Sequence, residues 1–161
     1  MDTLATPKGD GHIFYEVKES RASFEKTRTP EGRSVGRGQF YMVIHITALQ
    51  GDVYIPTSLA SGKKPTGFVY QIEGSAQGQI DTTDISCKGE GVSQVTLGTL
   101  VYTKIPQGKT ASFTIVVNMT GKVNKTYQVV FNRINYKLNA SEARYKKLDL
   151  SIASKPLEFK Y

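Results

Sequence analysis

The chain has 161 residues, with 21 Lys and Arg against 14 Asp and Glu and a formal net charge of +7. That length suits one domain of about 150 residues, and a hydrophobic content of 39% closes one core rather than two, which excludes a two-domain enzyme. Nine Tyr and seven Phe with no Trp, among frequent Val, Ile and Thr, favour strands over a helical bundle. The single cysteine, Cys87, makes no internal disulfide and cannot alone supply a thiolate zinc site. No apolar run reaches the roughly 20 residues of a membrane helix, so membrane insertion is not expected. The start, MDTLATPKGDG, lacks the basic-then-apolar pattern of an export signal.

Residues 1–11 carry Pro7, Gly9 and Gly11 among polar neighbours and read as a flexible arm or linker. A first strand is expected over His12 to Val17. From Glu19 to Gln39 the chain turns polar and basic, punctuated by Pro30, Gly32, Gly36 and Gly38; an exposed hairpin or a basic loop is expected there. Phe40, Met42, Ile44, Ile46 and Ala48 then alternate with Tyr41, Val43, His45 and Thr47. Period two over this length predicts a strand, and the partly apolar second face places it centrally in its sheet.

Val53 to Pro56 reads as a short strand ended by proline, and Phe68 to Glu73 as another. Between Ala76 and Gly98 only short strands and turns are expected. Thr99 to Ile105 gives a strand, and Pro106-Gln107-Gly108 a turn. Ala111, Phe113, Ile115, Val117 and Met119 alternate with polar and small residues, and Thr126 to Tyr136 is predicted to run back as the hairpin partner of that strand. Asn139 with Glu142 imitates a capping box, so Asn139 to Lys147 is expected as one helical turn or a loop. Leu157 to Tyr161 is the last strand expected.

Short strands every 8 to 12 residues or so, with turn signals between them, predict an all-β, antiparallel, immunoglobulin-like β-sandwich of about 7 to 9 strands. Residues 12–161 form its single domain, with the basic loop around 19–39. No repeat of propeller or solenoid length is present.

Several chemical motifs are imitated without their context. Gly32-Arg33-Ser34-Val35-Gly36 matches G-x-S-x-G, but that nucleophile needs a strand-to-helix turn with an acid and a histidine following. Gly108-Lys109-Thr110 resembles the end of a phosphate loop, yet Thr103 stands where its first glycine belongs. Gly89-Glu90-Gly91 starts a dinucleotide pattern that Gln94 ends. His12 and His45 lack partners at metal-ligand spacing. Asp81, Asp84 and Glu90 offer oxygens for calcium without the spacing of an EF-hand. No catalytic, metal or cofactor residue is therefore assigned, no cofactor is expected, and the chain is expected not to be an enzyme.

Basic residues cluster twice: Arg21, Lys26, Arg28, Arg33 and Arg37 in one segment, and Arg133, Lys137, Arg144, Lys146 and Lys147 in another. A positive surface attracts anionic polymers, so Arg28, Arg33, Arg37, Arg144, Lys146 and Lys147 are the candidate polyanion contacts. Aromatic residues for stacking bases are sparse, with Tyr15 and Phe24 near one cluster and Tyr145 near the other. Nucleic-acid binding is therefore expected to be non-specific at most.

The runs FYMVIHITALQGDVYIP (Phe40 to Pro56), GFVYQIE (Gly67 to Glu73), IPQGKTASFTIVVN (Ile105 to Asn118) and YQVVFNRINY (Tyr127 to Tyr136) resemble immunoglobulin-like domains near the C-termini of exported surface proteins of patescibacteria (the candidate phyla radiation). The resemblance spans roughly residues 35 to 161 and rests on strand and turn patterns. It implies an extracellular or cell-surface location and carries no catalytic residues. The function expected is a structural or adhesion module whose partner is a protein, a cell-envelope polymer or copies of itself. The alternatives are a surface-filament subunit assembling by strand addition and a small carbohydrate-active or hydrolytic enzyme fragment.

Overall fold

The alternation from Phe40 to Ala48 is the middle of a much longer ribbon. The structure, a computed structural model, describes residues 8–28, 30–32, 34–57, 67–74, 79–97, 100–121 and 124–160. These residues form twelve strands in antiparallel sheets and no helix. Strand β2 (Ile13–Arg28) pairs with β3 (Ser34–Ala48) from Ile13↔Ala48 out to Arg28↔Ser34. Of the exposed hairpin or basic loop expected over 19–39, the structure has the hairpin, with both arms in strand. A β-bulge between Val17 and Glu19 inserts one residue and shifts the inward face from odd to even positions. Tyr15 and Val17 face the core before it, and Ala22 and Phe24 pack there after it.

On the other side of β3 lies β9 (Thr110–Gly121), and beyond it β6 (Gln79–Gly89). With β1 (Lys8–Gly9) against the start of β2, the order is β1-β2-β3-β9-β6, so β3 is central as its two-faced pattern predicted. The poorly patterned stretch 76–98 contains the whole of β6 and also β7 (Ser93–Leu97).

Strand β10 (Lys125–Tyr136) organises the second layer. It pairs on one side with β5 (Phe68–Glu73) and on the other with β11 (Lys146–Ala153) and then β12 (Leu157–Phe159). The hairpin expected between β9 and β10 is corrected: the two strands belong to different sheets. Asn124, at φ 67°, lies in the crossing between them. A Cβ on Gly121 would sit 2.7 Å from the Tyr127 ring, so the bare backbone lets that ring close over the end of β9.

The edge formed by β11 and β12 is interrupted at Ser154 to Pro156. Buried Ser154 repairs the gap: its N–H donates to Val129 O at 2.8 Å, and its Oγ accepts the Val129 N–H at 3.0 Å. A third sheet, β4 (Val53–Pro56), β8 (Leu100–Ile105) and β7, joins the layer through the Tyr54↔Lys137 bridge.

The faces meet in one core. Phe68 of β5 meets Phe113 of β9 edge-on at 5.2 Å between centroids, and Phe24 of β2 stacks on Phe159 of β12 at 4.8 Å. Gly38 admits that ring, since a Cβ there would lie 2.7 Å from Phe159 Cζ. Phe40, Ile44, Phe113, Ile115 and Val117, the residues alternation assigns inward, are all buried.

Candidate polyanion site

Beyond Tyr136 the chain bridges to β4: Lys137 N–H donates to Tyr54 O and Tyr54 N–H to Lys137 O, each at 2.8 Å. It then reverses through residues 138–145. The reversal is held by the Asn139/Glu142 spacing in a single turn that is not helical, the loop of the two forms expected. Glu142 N–H donates to Asn139 O at 3.0 Å and Ser141 N–H to Asn139 Oδ1 at 3.1 Å, while Glu142 Oε2 accepts the Leu138 N–H at 3.4 Å. One turn of capping without an apolar period behind it cannot nucleate a helix. The chain goes straight into β11, whose register Asn135↔Lys147 and Arg133↔Asp149 puts these four side chains on one face.

A cavity of about 340 Å³ opens there, lined by Arg133, Asn135, Arg144, Tyr145 and Lys147. Beside it the buried Lys137 ammonium lies 5.3 Å from the Tyr102 ring centroid and 4.9 Å from that of Tyr145. Such placement over two π-faces stabilises a cation. The Tyr102 and Tyr145 hydroxyls meet at 2.9 Å. Burial, followed by the Tyr102 hydrogen bond, pushes the Tyr145 hydroxyl far above its ordinary range, so it stays neutral and adds no competing charge. Against Arg133, Lys137, Arg144 and Lys147 stands Asp149, which takes Arg133 Nε at 3.0 Å. The pocket therefore offers surplus cations beside an aromatic ring, a combination fitted to anionic groups carried on flat or cyclic units.

Of the six candidate contacts, Arg144 and Lys147 come together here. Lys146 is exposed opposite the core residue Tyr136 and so faces the other way. Arg28 is exposed near the end of the β2–β3 hairpin, and Arg37 faces Glu25 across it in a cavity also lined by Asp81, a site of mixed charge. Arg33 lies outside the described residues. The clusters do not merge. Tyr127 contacts Phe159 close to the hairpin, whereas Tyr136 reaches Asp10 at the start of β2, and a strand of that span measures about 30 Å at ~3.4 Å per residue. Sequence reasoning named Arg133, Lys137 and Tyr145 near the cluster but missed Asn135 and Tyr102. Tyr102 approaches from a different sheet, with no local signal of its own.

The outer face of the five-stranded sheet carries another cavity, of about 710 Å³, lined by Tyr41, Val43, His45, Thr110, Ser112 and neighbours. The Arg21 guanidinium covers Tyr41 at 4.2 Å. Burial, aided by nearby Lys18 and opposed by Glu16, lowers the His45 pKa, so the imidazole is neutral at pH 7.

The imitated motifs fall on strands and turns. Ser34 opens β3 opposite Arg28, and Gly108 turns the chain at φ 76° before β9. Glu90 takes Lys109 Nζ at 3.1 Å and Asp81 accepts from Thr120. No group of three His, Cys, Asp or Glu converges for a metal among the described residues. Burial pushes the Cys87 thiol up to about 11 against the opposing Thr103 hydrogen bond, which suppresses its thiolate.

No family model, curated protein or solved structure matches the chain.

Proposed function

We propose that this chain is a non-enzymatic, extracellular module of a bacterial surface protein, folded as an immunoglobulin-like β-sandwich, that holds an anionic cell-envelope polymer at the Arg133, Arg144 and Lys147 pocket. The observation that carries this reading is the convergence of those three cations and the Tyr145 ring on one open cavity, with Asp149 the carboxylate beside them. The two face-packed antiparallel layers and the resemblance to exported patescibacterial surface proteins support the setting. Arg28 and Arg37 at the far end add weak, non-directional attraction, which salt removes over a Debye length of about 8 Å.

Fluorescence anisotropy with labelled polygalacturonate, a carboxylate polymer, tests the pocket. Arg144→Glu with Lys147→Glu should weaken binding by about tenfold or more, and Arg28→Glu by about twofold or less. Equal binding by the pocket variant refutes the site. Turnover of glycosides or esters, or labelling of Ser34 by a fluorophosphonate, refutes the non-enzymatic reading.

A further inference from the structure

Strand β6 ends the five-stranded sheet. Its hydrogen-bonding partner is β9, along Gln79↔Thr120 to Gly89↔Ala111, and no other described strand lies along its second edge. Such an edge carries a row of unpaired backbone groups that pair with another chain unless blunted. The bulge between Ile80 and Thr82 bends the start of the strand away. From Thr82 to Gly89 the register is regular.

We propose that two copies of this chain pair along their β6 edges, antiparallel, about a two-fold axis through Ser86. In that register Ser86 faces its own copy and every residue from Thr82 to Glu90 finds a partner, and the charges of Asp84 and Lys88 fix this choice of axis. On the outer face Asp84 stands opposite Lys88 of the second copy, and by symmetry Lys88 stands opposite its Asp84. On the inner face Ile85, which packs on the core with Cys87, stands opposite that residue. Opposite charges directly across an antiparallel pair are favourable and like charges unfavourable. Other registers lose this. Sliding one way sets Asp84 against Ser86, and further sets Asp84 against itself; sliding the other way sets Asp84 against Glu90. The charges that blunt indiscriminate pairing thus select a single isologous arrangement. It extends the five-stranded sheet across both copies and leaves the Arg144 pocket uninvolved, since that pocket is built on β10 and β11 in the other layer.

The test is the mass of the full chain by light scattering after size exclusion, under reductant and without polymer, over a concentration series. The wild type should reach the mass of two chains. Asp84→Lys should weaken association about tenfold by placing lysines opposite one another. The swap Asp84→Lys with Lys88→Asp should bring it back to within about twofold of the wild type. Both side chains are exposed, and unchanged circular dichroism checks that each variant folds. Ser86→Cys in a Cys87→Ser background should form a disulfide dimer under mild oxidation, because residues directly opposite in such a pair lie about 4.5 to 5.5 Å apart at Cα. A monomer at every concentration, equal association by Asp84→Lys, or a swap that fails to restore it overturns the proposal.

Discussion

The carboxylate of Asp10 accepts the hydroxyl of Tyr136 across 126 positions of sequence, tying the segment before β2 to the last residue of β10. The same carboxylate accepts the backbone N–H groups of His12 and Ile13, each at 3.0 Å. Partial burial pushes the Asp10 carboxyl up, but these hydrogen bonds outweigh it and hold the group below its ordinary value. Tyr136→Phe should therefore cost about 1 kcal/mol in urea melts, and Asp10→Ala more, because it strands a buried hydroxyl. A carboxylate with a depressed pKa stabilises the fold above its unfolded value, and that contribution fades as pH falls through the folded one. The gap between wild type and Asp10→Ala should accordingly narrow below about pH 4.

Phe113 joins the two layers through its edge contact with Phe68 and is fully buried. Phe113→Ala should cost about 3 to 5 kcal/mol, read as a fall in the denaturant midpoint. A loss below about 1 kcal/mol would show that the layers do not meet there.

Ser154→Ala removes the oxygen that satisfies the Val129 N–H where the β11–β12 edge is broken. The buried donor left behind should cost about 1 to 3 kcal/mol. Exchange of the Val129 amide with deuterium should quicken beyond that of its neighbours, which localises the loss.

His45 gives the opposite pH signature to a salt-bridged histidine. Its pKa is lowered by burial and by Lys18, so the unfolded chain binds the proton more readily. Its contribution to stability is whole above the unfolded value of about 6.5 and declines as pH falls through the folded one. His45→Gln should flatten the stability profile between about pH 7 and pH 5, measured by urea melts at both ends.

How legible each strand was depended on whether its partner face was apolar. Strand β3 from Gln39 to Ala48 and strand β9 were readable because one face of each is almost wholly Phe, Ile, Val, Met and Ala. Strand β2 disappeared after Val17 because the bulge there reverses the alternation, and only Ala22 and Phe24 mark the inner face beyond it. Strand β11 was hidden by its opening lysines and by the Asn139 and Glu142 cue just before them, although Leu148, Leu150 and Ile152 alternate. The partner of β10 was not a local property. Closeness in sequence favoured β9, but β10 lies in the other layer, where it pairs with β5, β11 and β12. At the candidate site, the cations were visible as composition. Their union with Tyr102 depends on the bridge between Tyr54 and Lys137, a contact between separate sheets.

The opposite placement of Asp10 and Phe159 also governs how the domain responds to tension. Pulled at residues 10 and 160, β2 is drawn back along its own axis against β3, and β12 is drawn forward along its axis against β10. Both ladders are then loaded lengthwise, so many backbone hydrogen bonds must yield together instead of opening one at a time from an end. A strand ladder stretched in this direction resists sliding.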